Sequence, residues 1–307
     1  MMKRKLPTAS VLGVATAAVC FATTADALPT PVTHQTVLVE EFTATWCYYC
    51  QFAYDLLERE KVKWGDAISI LSYNISDSLS TSYTERRGSE WGVTAIPTFV
   101  FHSKYKVLGT PSDNSFDNYI GLCQDISQHL EMLANYSVDT NQRKIKINLK
   151  VRSGVSFKPG DQIRFVVWEQ QYNYNWYRSN FKYHVVGGVD VDPTNIPLLK
   201  PVKGSLTIDA NQLGKIQEWD DLGVTVFAYR PSTKEVFASW DVGEVSLGDL
   251  NGDLNIDKKD GALYKNQIGK TVNDPDFNPA ADWDGDGDCD SDDTALFRNY
   301  IKNGGLR

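Results

Sequence analysis

Phe42-Thr43-Ala44-Thr45-Trp46-Cys47-Tyr48-Tyr49-Cys50-Gln51 is the stretch on which the reading of this chain turns. Ahead of it, Val37-Leu38-Val39 runs through Glu40 and Glu41 and reads as a buried strand. Behind it, residues 51–61 read as a helix with Phe52, Leu56 and Leu57 on its apolar side. Two cysteines spaced C-x-x-C at a strand-to-helix junction can close a small disulfide ring. The junction also places the first sulfur at a helix N-terminus, where unpaired N–H groups and the dipole favour a thiolate. Thiol–disulfide exchange needs that arrangement. The same spacing also serves a zinc half-site or a plain structural disulfide, but no second C-x-x-C or nearby Cys/His pair completes a tetrahedral zinc site.

At 307 residues, with 42% hydrophobic and 12% aromatic residues, the chain has material for two or three packed domains and is not a disordered protein. Its net charge of −8 is unevenly spread: residues 249–307 hold thirteen Asp against seven Lys and Arg, which is −6 of the total. That concentration points to cation binding near the C-terminus and gives no sign of nucleic-acid affinity. No acid pair or Ser/His/Asp set has a spacing that suggests glycosidase or protease chemistry.

The residues around the cysteines resemble the thioredoxin fold. The match is Val37-Leu38-Val39-Glu40-Glu41-Phe42, then Trp46-Cys47-x-x-Cys50, then Gly92-Val93-Thr94-Ala95-Ile96-Pro97-Thr98. The resemblance implies a cis proline at Pro97 facing the cysteines and a buried, proton-handling acid at Glu41. It also implies Cys47 as attacking thiol and Cys50 as resolving thiol, with Trp46 and Thr98 beside an extended substrate segment.

The chain begins with what reads as a secretory leader over residues 1–27. Lys3, Arg4 and Lys5 are its charged start, residues 11–23 its apolar stretch, and Ala25-Asp26-Ala27 an A-x-A cleavage site. The apolar stretch is too short to span a bilayer permanently. Cys20 follows Val19, a poor fit to the small residue that precedes a lipoprotein cysteine, so export and removal is the reading taken.

Residues 34–138 read as the α/β thioredoxin-like domain. Its expected elements are a second central strand over 67–73, a helix-compatible cap over 80–91, a hairpin over 98–109 and a long helix over 113–136. Phe116, Ile120, Cys123, Ser127, Leu130 and Leu133 recur at helical spacing, which makes Cys123 a core thiol. Residues 142–246 alternate instead, with expected strands around 145–151, 162–169, 205–209, 223–229 and 235–245, and read as an all-β sandwich. A thioredoxin domain followed by such a sandwich resembles a bacterial family of outer-membrane-associated surface proteins, including the segment Tyr183-His184-Val185-Val186-Gly187-Gly188-Val189. Tyr172, Tyr174, Trp176, Tyr177, Phe181 and Tyr183 crowd an asparagine-rich loop, suited to packing first and to sugar binding second. His34, His102, His129 and His184 lack metal spacing and read as structural.

The last segment, 247–307, carries a repeat. Asp249, Asn251, Asp253, Asn255, Asp257 and Asp260 fall at positions 1, 3, 5, 7, 9 and 12 of a loop, with Asn255 offering its backbone carbonyl. Asp282, Asp284, Asp286, Asp288, Asp290 and Asp293 repeat the spacing 33 residues later. A hard cation such as calcium takes six to eight oxygens of this kind. Each loop leads into an expected helix, over 262–268 and 294–301, and the repeats resemble a type I dockerin, a small all-α domain. The resemblance implies two calcium ions, no organic cofactor, and docking on a cohesin module through positions 10 and 11. Those are Lys258 and Lys259 in one loop, Ser291 and Asp292 in the other, so the repeats are not interchangeable. Leu254 replaces the usual glycine at position 6, and Cys289 reads as a small apolar residue between the loops.

Two functional classes follow: a secreted thiol–disulfide oxidoreductase acting on exported proteins, or a non-enzymatic binding component with a structural disulfide.

Overall fold

The computed structural model describes residues 22–23, 36–124, 126, 130–173, 180–242, 248–251, 256–271, 274, 276–283 and 287–302. Apart from β1 (Ala22–Thr23), the expected leader lies outside them, as do His34, His129, Ser127, Tyr174, Trp176, Tyr177, Asp253, Leu254, Asn255, Asp284 and Asp286.

The chain enters its core through β2 (Val37–Thr43), a strand buried along its whole length. It turns at the cysteines into α1 (Cys50–Trp64), whose buried face is Ala53, Leu56, Leu57 and Glu60, the i, i+3, i+4, i+7 pattern of a helix lying on a sheet. Phe52, expected on that face, is 53% exposed, because it falls outside the stripe that 53, 56, 57 and 60 define. The helix ends at Gly65 (φ 50°), with Lys61 and Lys63 at the negative end of its dipole. β3 (Ile68–Asn74) returns parallel to β2, and β4 (Thr98–Phe101) and β5 (Tyr105–Leu108) add an antiparallel hairpin on the other side. Helix α2 (Ser82–Trp91) opens on a Thr81–Thr84 capping box and covers one sheet face; α1 and α3 (Asp113–Gln124) cover the other.

The long helix expected over 113–136 ends at Gln124. Residues from Leu130 onward form strand β6 (Leu130–Asp139), paired antiparallel with β7 (Lys144–Ser153) from Leu130↔Ser153 to Asp139↔Lys144. Leu130, Met132 and Ala134, every second residue, join one apolar core while the intervening Glu131 pairs with Arg152, so a period of two, not 3.6, describes this segment. Cys123 is buried as expected.

The remaining strands are β8 (Gln162–Asn173), β9 (Asn180–Val191), β10 (Val202–Asp209), β11 (Leu222–Arg230) and β12 (Glu235–Val242). Four of them do not stand apart from the first part of the chain. β9 pairs parallel with β3 at Ser72↔His184, giving one sheet of order β12-β11-β8-β9-β3-β2-β4-β5. A smaller sheet, β1-β10-β7-β6, packs on one face of the half made by β8, β9, β11 and β12, with Ile145, Ile147, Leu149 and Val151 meeting Ile163, Phe165, Val167, Val224 and Val226. The sandwich is therefore present, but one of its two sheets is an extension of the thioredoxin-like sheet. Strand β9 opens at the end of the asparagine-rich aromatic stretch and contains the whole of Tyr183–Val189.

On the opposite face of the extended half, α2 packs Tyr83 and Trp91 against Leu38, Phe42, Val166, Val185 and Phe227, spanning the seam. Buried charge crosses there too: Arg87 pairs with Glu40 and Glu90, and Glu90 with Arg164.

In the last segment, α4 (Lys258–Tyr264) and α5 (Ser291–Lys302) begin four and three residues earlier than expected. The end of each loop is already the first helical turn: Asp257 Oδ1 accepts the Lys259 N–H and Asp290 Oδ1 the Asp292 N–H, both at 2.7 Å. Tyr264 stacks on Phe297 at 4.4 Å, over a core that includes Leu250, Ile256, Ala281 and Cys289. No helix among the described residues is long and apolar enough to cross a membrane.

Candidate active site and metal loops

Cys47 and Cys50 are joined as a disulfide at the mouth of α1. Cys50 is buried and is the first residue of the helix, while Cys47 is partly exposed on the preceding turn, fixed by its N–H to the Ala44 carbonyl at 3.0 Å. The Cys50 N–H, a free donor of the first helical turn, points at Cys47 Sγ at 3.2 Å. Among the residues of that first turn none is acidic, so the positive end of the dipole is not offset there. Around the sulfurs, Trp46, Tyr48, Tyr49 and Phe52 are all more than half exposed. Trp46 is anchored by Nε1–H to the Ser76 carbonyl at 3.1 Å, and Tyr48 sits edge-on to Tyr49 and to Phe52.

Glu41 lies on β2 in step with Val37 and Val39, which pack under α1, so strand alternation puts its carboxyl on the face that α1 covers. It is fully buried. Burial pushes it from 4.5 up to about 8; the Ser72 and Thr43 hydroxyls pull the other way, but neither makes a well-formed hydrogen bond to it. Tyr54 of α1 approaches the same corner, its hydroxyl 2.6 Å from Thr43 Oγ1. Burial, and then the Glu41 charge, hold that phenol well above its ordinary range. Adjacent Glu40 points to the opposite face and is taken by Arg87.

The Ile96–Pro97 bond is cis. Thr98 stands opposite Phe42 in the β2–β4 ladder, which places Pro97 at the end of the sheet from which the cysteine turn departs. The Thr98 side chain is 1% exposed and its hydroxyl donates to the Ala95 carbonyl at 2.7 Å, so it shapes the proline turn and does not present a hydroxyl to a substrate.

A further set, not anticipated from sequence, flanks the turn. Asp77 Oδ2 accepts the Thr45 N–H at 2.6 Å and the Asn74 Nδ2–H at 2.8 Å, and Asn74 Oδ1 lies 3.0 Å from His184 Nδ1. Two of these contacts, Thr45 to Asp77 and Asn74 to His184, join residues far apart in sequence, and only the S-D-x-x-S spacing of Ser76, Asp77 and Ser80 hints at a carboxylate-held turn.

In the metal loops, the side-chain oxygens of Asp288, Asp290 and Asp293 lie within 4.8 Å of one another. Asp260 and Asp293, at position 12 of their loops, are fully buried. Their hydrogen bonds repeat across the two loops: Asp257 N–H to Asp260 Oδ2 and Asp290 N–H to Asp293 Oδ2, both 2.8 Å. Three gathered carboxylates, Asp288 half-buried, Asp290 exposed and Asp293 buried, fit a divalent cation, and the all-oxygen donor set fits calcium. The second loop is tied to the segment that follows α4 by Gly269 N–H to the Cys289 carbonyl (2.7 Å) and Cys289 N–H to the Lys270 carbonyl (2.9 Å), with the Cys289 side chain buried. Lys258, Lys259, Ser291 and Asp292 are all exposed.

Residues 247–302 match the Dockerin type I domain. A segment of 76 residues is 25% identical to a probable thioredoxin of Methanothermobacter thermautotrophicus, taking in 25% of this chain and 82% of that protein. In structure the chain is similar to HBP35 of Porphyromonas gingivalis, with a TM-score of 0.54 and 14% identity over 68% of this chain and 74% of that one, a likeness of fold alone. The chain thus combines a thioredoxin-like fold with a C-terminal dockerin type I domain, a calcium-binding module.

Proposed function

We propose that this chain is an exported thiol–disulfide oxidoreductase tethered to a cohesin-bearing scaffold by its dockerin, which holds two calcium ions. The observation that carries the redox half is the Cys50 N–H aimed at Cys47 Sγ from the first turn of α1. In the reduced protein that donor and the helix dipole stabilise a Cys47 thiolate. The thiolate attacks a substrate disulfide: a Cys47–substrate S–S bond forms and the substrate's own S–S bond breaks, releasing one substrate thiolate. Cys50 then gives up its proton and attacks Cys47, expelling the second substrate thiolate; two electrons pass to the substrate and the pair ends as the disulfide. Glu41, fully buried on the face that α1 covers and with its carboxyl pushed up to about 8, takes the Cys50 proton in its carboxylate form and gives it back when the exchange runs in reverse. Run in reverse, the same steps oxidise a substrate dithiol. The exposed Trp46 beside Cys47, and the cis Pro97 at the end of the sheet from which the cysteine turn departs, support this side as the one a polypeptide would approach.

The test is a pair of variants in the full chain. Cys50→Ser is expected to trap a mixed disulfide with an exported protein, and Cys47→Ser to trap none. Equal failure of both, with a wild-type pair that resists reduction below about −300 mV, would leave the second reading, a binding protein on a thioredoxin scaffold. What favours that second reading is the exposed aromatic group Trp46, Tyr48, Tyr49 and Phe52, a surface that suits sugar rings as well as peptide.

For the tether, calcium-dependent pull-down of a cohesin module is expected, lost in chelator. The exposed and dissimilar pairs Lys258-Lys259 and Ser291-Asp292 support docking in one orientation.

A further inference from the structure

The residues just ahead of Cys47 are held by a chain of hydrogen bonds that starts on β9, the strand by which the appended sheet joins the thioredoxin-like one. Thr45 and Trp46 are both anchored on the turn after β3, Thr45 by its N–H to Asp77 and Trp46 by its indole to Ser76. Asp77 accepts from Leu79 N–H (2.8 Å) and Ser80 N–H (2.9 Å) through Oδ1 and from Thr45 and Asn74 through Oδ2. Behind Asn74 stands His184, 2% exposed, with the Tyr172 ring edge-on at 4.7 Å.

The hydrogen positions follow from chemistry. Asp77 Oδ1 and Oδ2 each already accept a backbone N–H, so both oxygens act as acceptors. The Asn74 group facing it must therefore be the NH₂, which leaves the Asn74 oxygen facing His184. An amide oxygen only accepts, so His184 Nδ1 carries the hydrogen. Burial pushes the imidazole down to about 4, with the Asp77 charge pulling the other way, so the ring is neutral at pH 7.

We infer that His184 is a positioning residue for the Cys47–Cys50 pair: its Nδ1–H fixes the Asn74 amide, Asn74 steadies Asp77, and Asp77 holds the backbone at Thr45, two residues before Cys47. This rests on the oxidoreductase reading. The Cys47 sulfur gains its charge stabilisation only while the turn keeps it on the Cys50 N–H, and that turn has one end in this chain. The appended strand is then part of the redox site and not only a neighbour of it.

The test uses the full chain with its cysteines reduced, following the pH dependence of Cys47 alkylation by iodoacetamide. In the wild type the midpoint is expected below the ~8.5 of a free thiol. His184→Leu removes the donor at similar volume; its midpoint is expected to rise by about one pH unit, with the alkylation rate at pH 7 falling up to roughly tenfold. His184→Asn carries an amide Nδ2 near the place of Nδ1 and is expected to recover most of the wild-type profile. A folded His184→Leu protein with the wild-type midpoint overturns the inference, as does a His184→Asn shift as large as that of leucine. Should the leucine variant not fold, the ¹⁵N spectrum of His184 in the wild type decides: an Nδ1–H tautomer supports the inference and an Nε2–H tautomer overturns it. A wild-type midpoint at the free-thiol value counts against the oxidoreductase reading itself, a result the variant comparison does not mimic.

Discussion

Arg87 holds Glu40 by two parallel hydrogen bonds, Nε to Oε1 and Nη2 to Oε2, both at 2.7 Å, and neither side chain reaches solvent. The pair does more than neutralise a charge on a core strand. Arg87 also donates to Glu90, which takes two hydrogen bonds from Arg164 on β8, and both guanidinium groups lie over the Tyr229 ring at 4.5 and 4.4 Å. Charge, hydrogen bonds and ring contacts thereby run from β2 through α2 into the appended half of the sheet.

Removing one member of that network should be costly. Arg87→Ala strands Glu40 in a dry core, and the expected loss is about 3–5 kcal/mol in urea unfolding. The double variant Glu40→Gln with Arg87→Met, which buries no charge at either position, is expected to recover a large part of it. Equal losses in the single and double variants would show that packing, not the stranded charge, sets the cost.

Glu41 makes stability depend on pH in a defined direction. Its folded pKa of about 8 lies above the ordinary 4.5, so between those values the folded chain keeps a proton that the unfolded chain has lost. Stability contributed by this residue is complete below about 4.5 and falls as pH rises, by at most about 1.4 kcal/mol per pH unit, until about 8. Glu41→Gln should therefore be more stable than wild type at pH 7.5 and similar to it at pH 4, measured by denaturant midpoints. It should also slow disulfide exchange, because the proton carrier is gone. A stability difference that does not vary with pH would refute the buried-acid assignment.

Cys123 should be silent in the folded protein. It is fully buried, and burial pushes its thiol up to about 12. After mild reduction, mass spectrometry of alkylated protein at pH 8 is expected to show label at Cys47 long before Cys123, with Cys123 modified only in denaturant. Early labelling of Cys123 would mean that α3 opens readily from the sheet.

Cys289 offers a built-in reporter for calcium. It is buried in one core with Leu250 and Ile256 of the first loop and sits beside the gathered carboxylates of the second, which repel one another without a cation. Chelation is expected to loosen the segment and expose Cys289 to alkylation, and added calcium to protect it again. Titration calorimetry on the chain should count two ions, and Asp290→Asn with Asp293→Asn should remove one of them. Protection unchanged by chelator would mean that the loops fold without the cation.

What could be read from sequence was local. The C-x-x-C at a strand-to-helix junction, the Ile-Pro-Thr element and each carboxylate loop declare themselves within a dozen residues, since their chemistry depends on spacing along the chain. The structure finds the disulfide, the cis proline and the capped loops at those positions. Helical spacing misled where two periods coincide. Leu130 continues the Phe116–Ile120–Cys123 stripe, yet with Met132 and Ala134 it also alternates, and only pairing with β7 selects the strand. Tertiary structure alone decided that Ser72 meets His184, because two strands more than a hundred residues apart carry no mark of their pairing. It likewise chose the partners of Glu40 and Asp77. A carboxylate in a sequence shows its charge, but which guanidinium or amide satisfies it depends on where burial has closed off water.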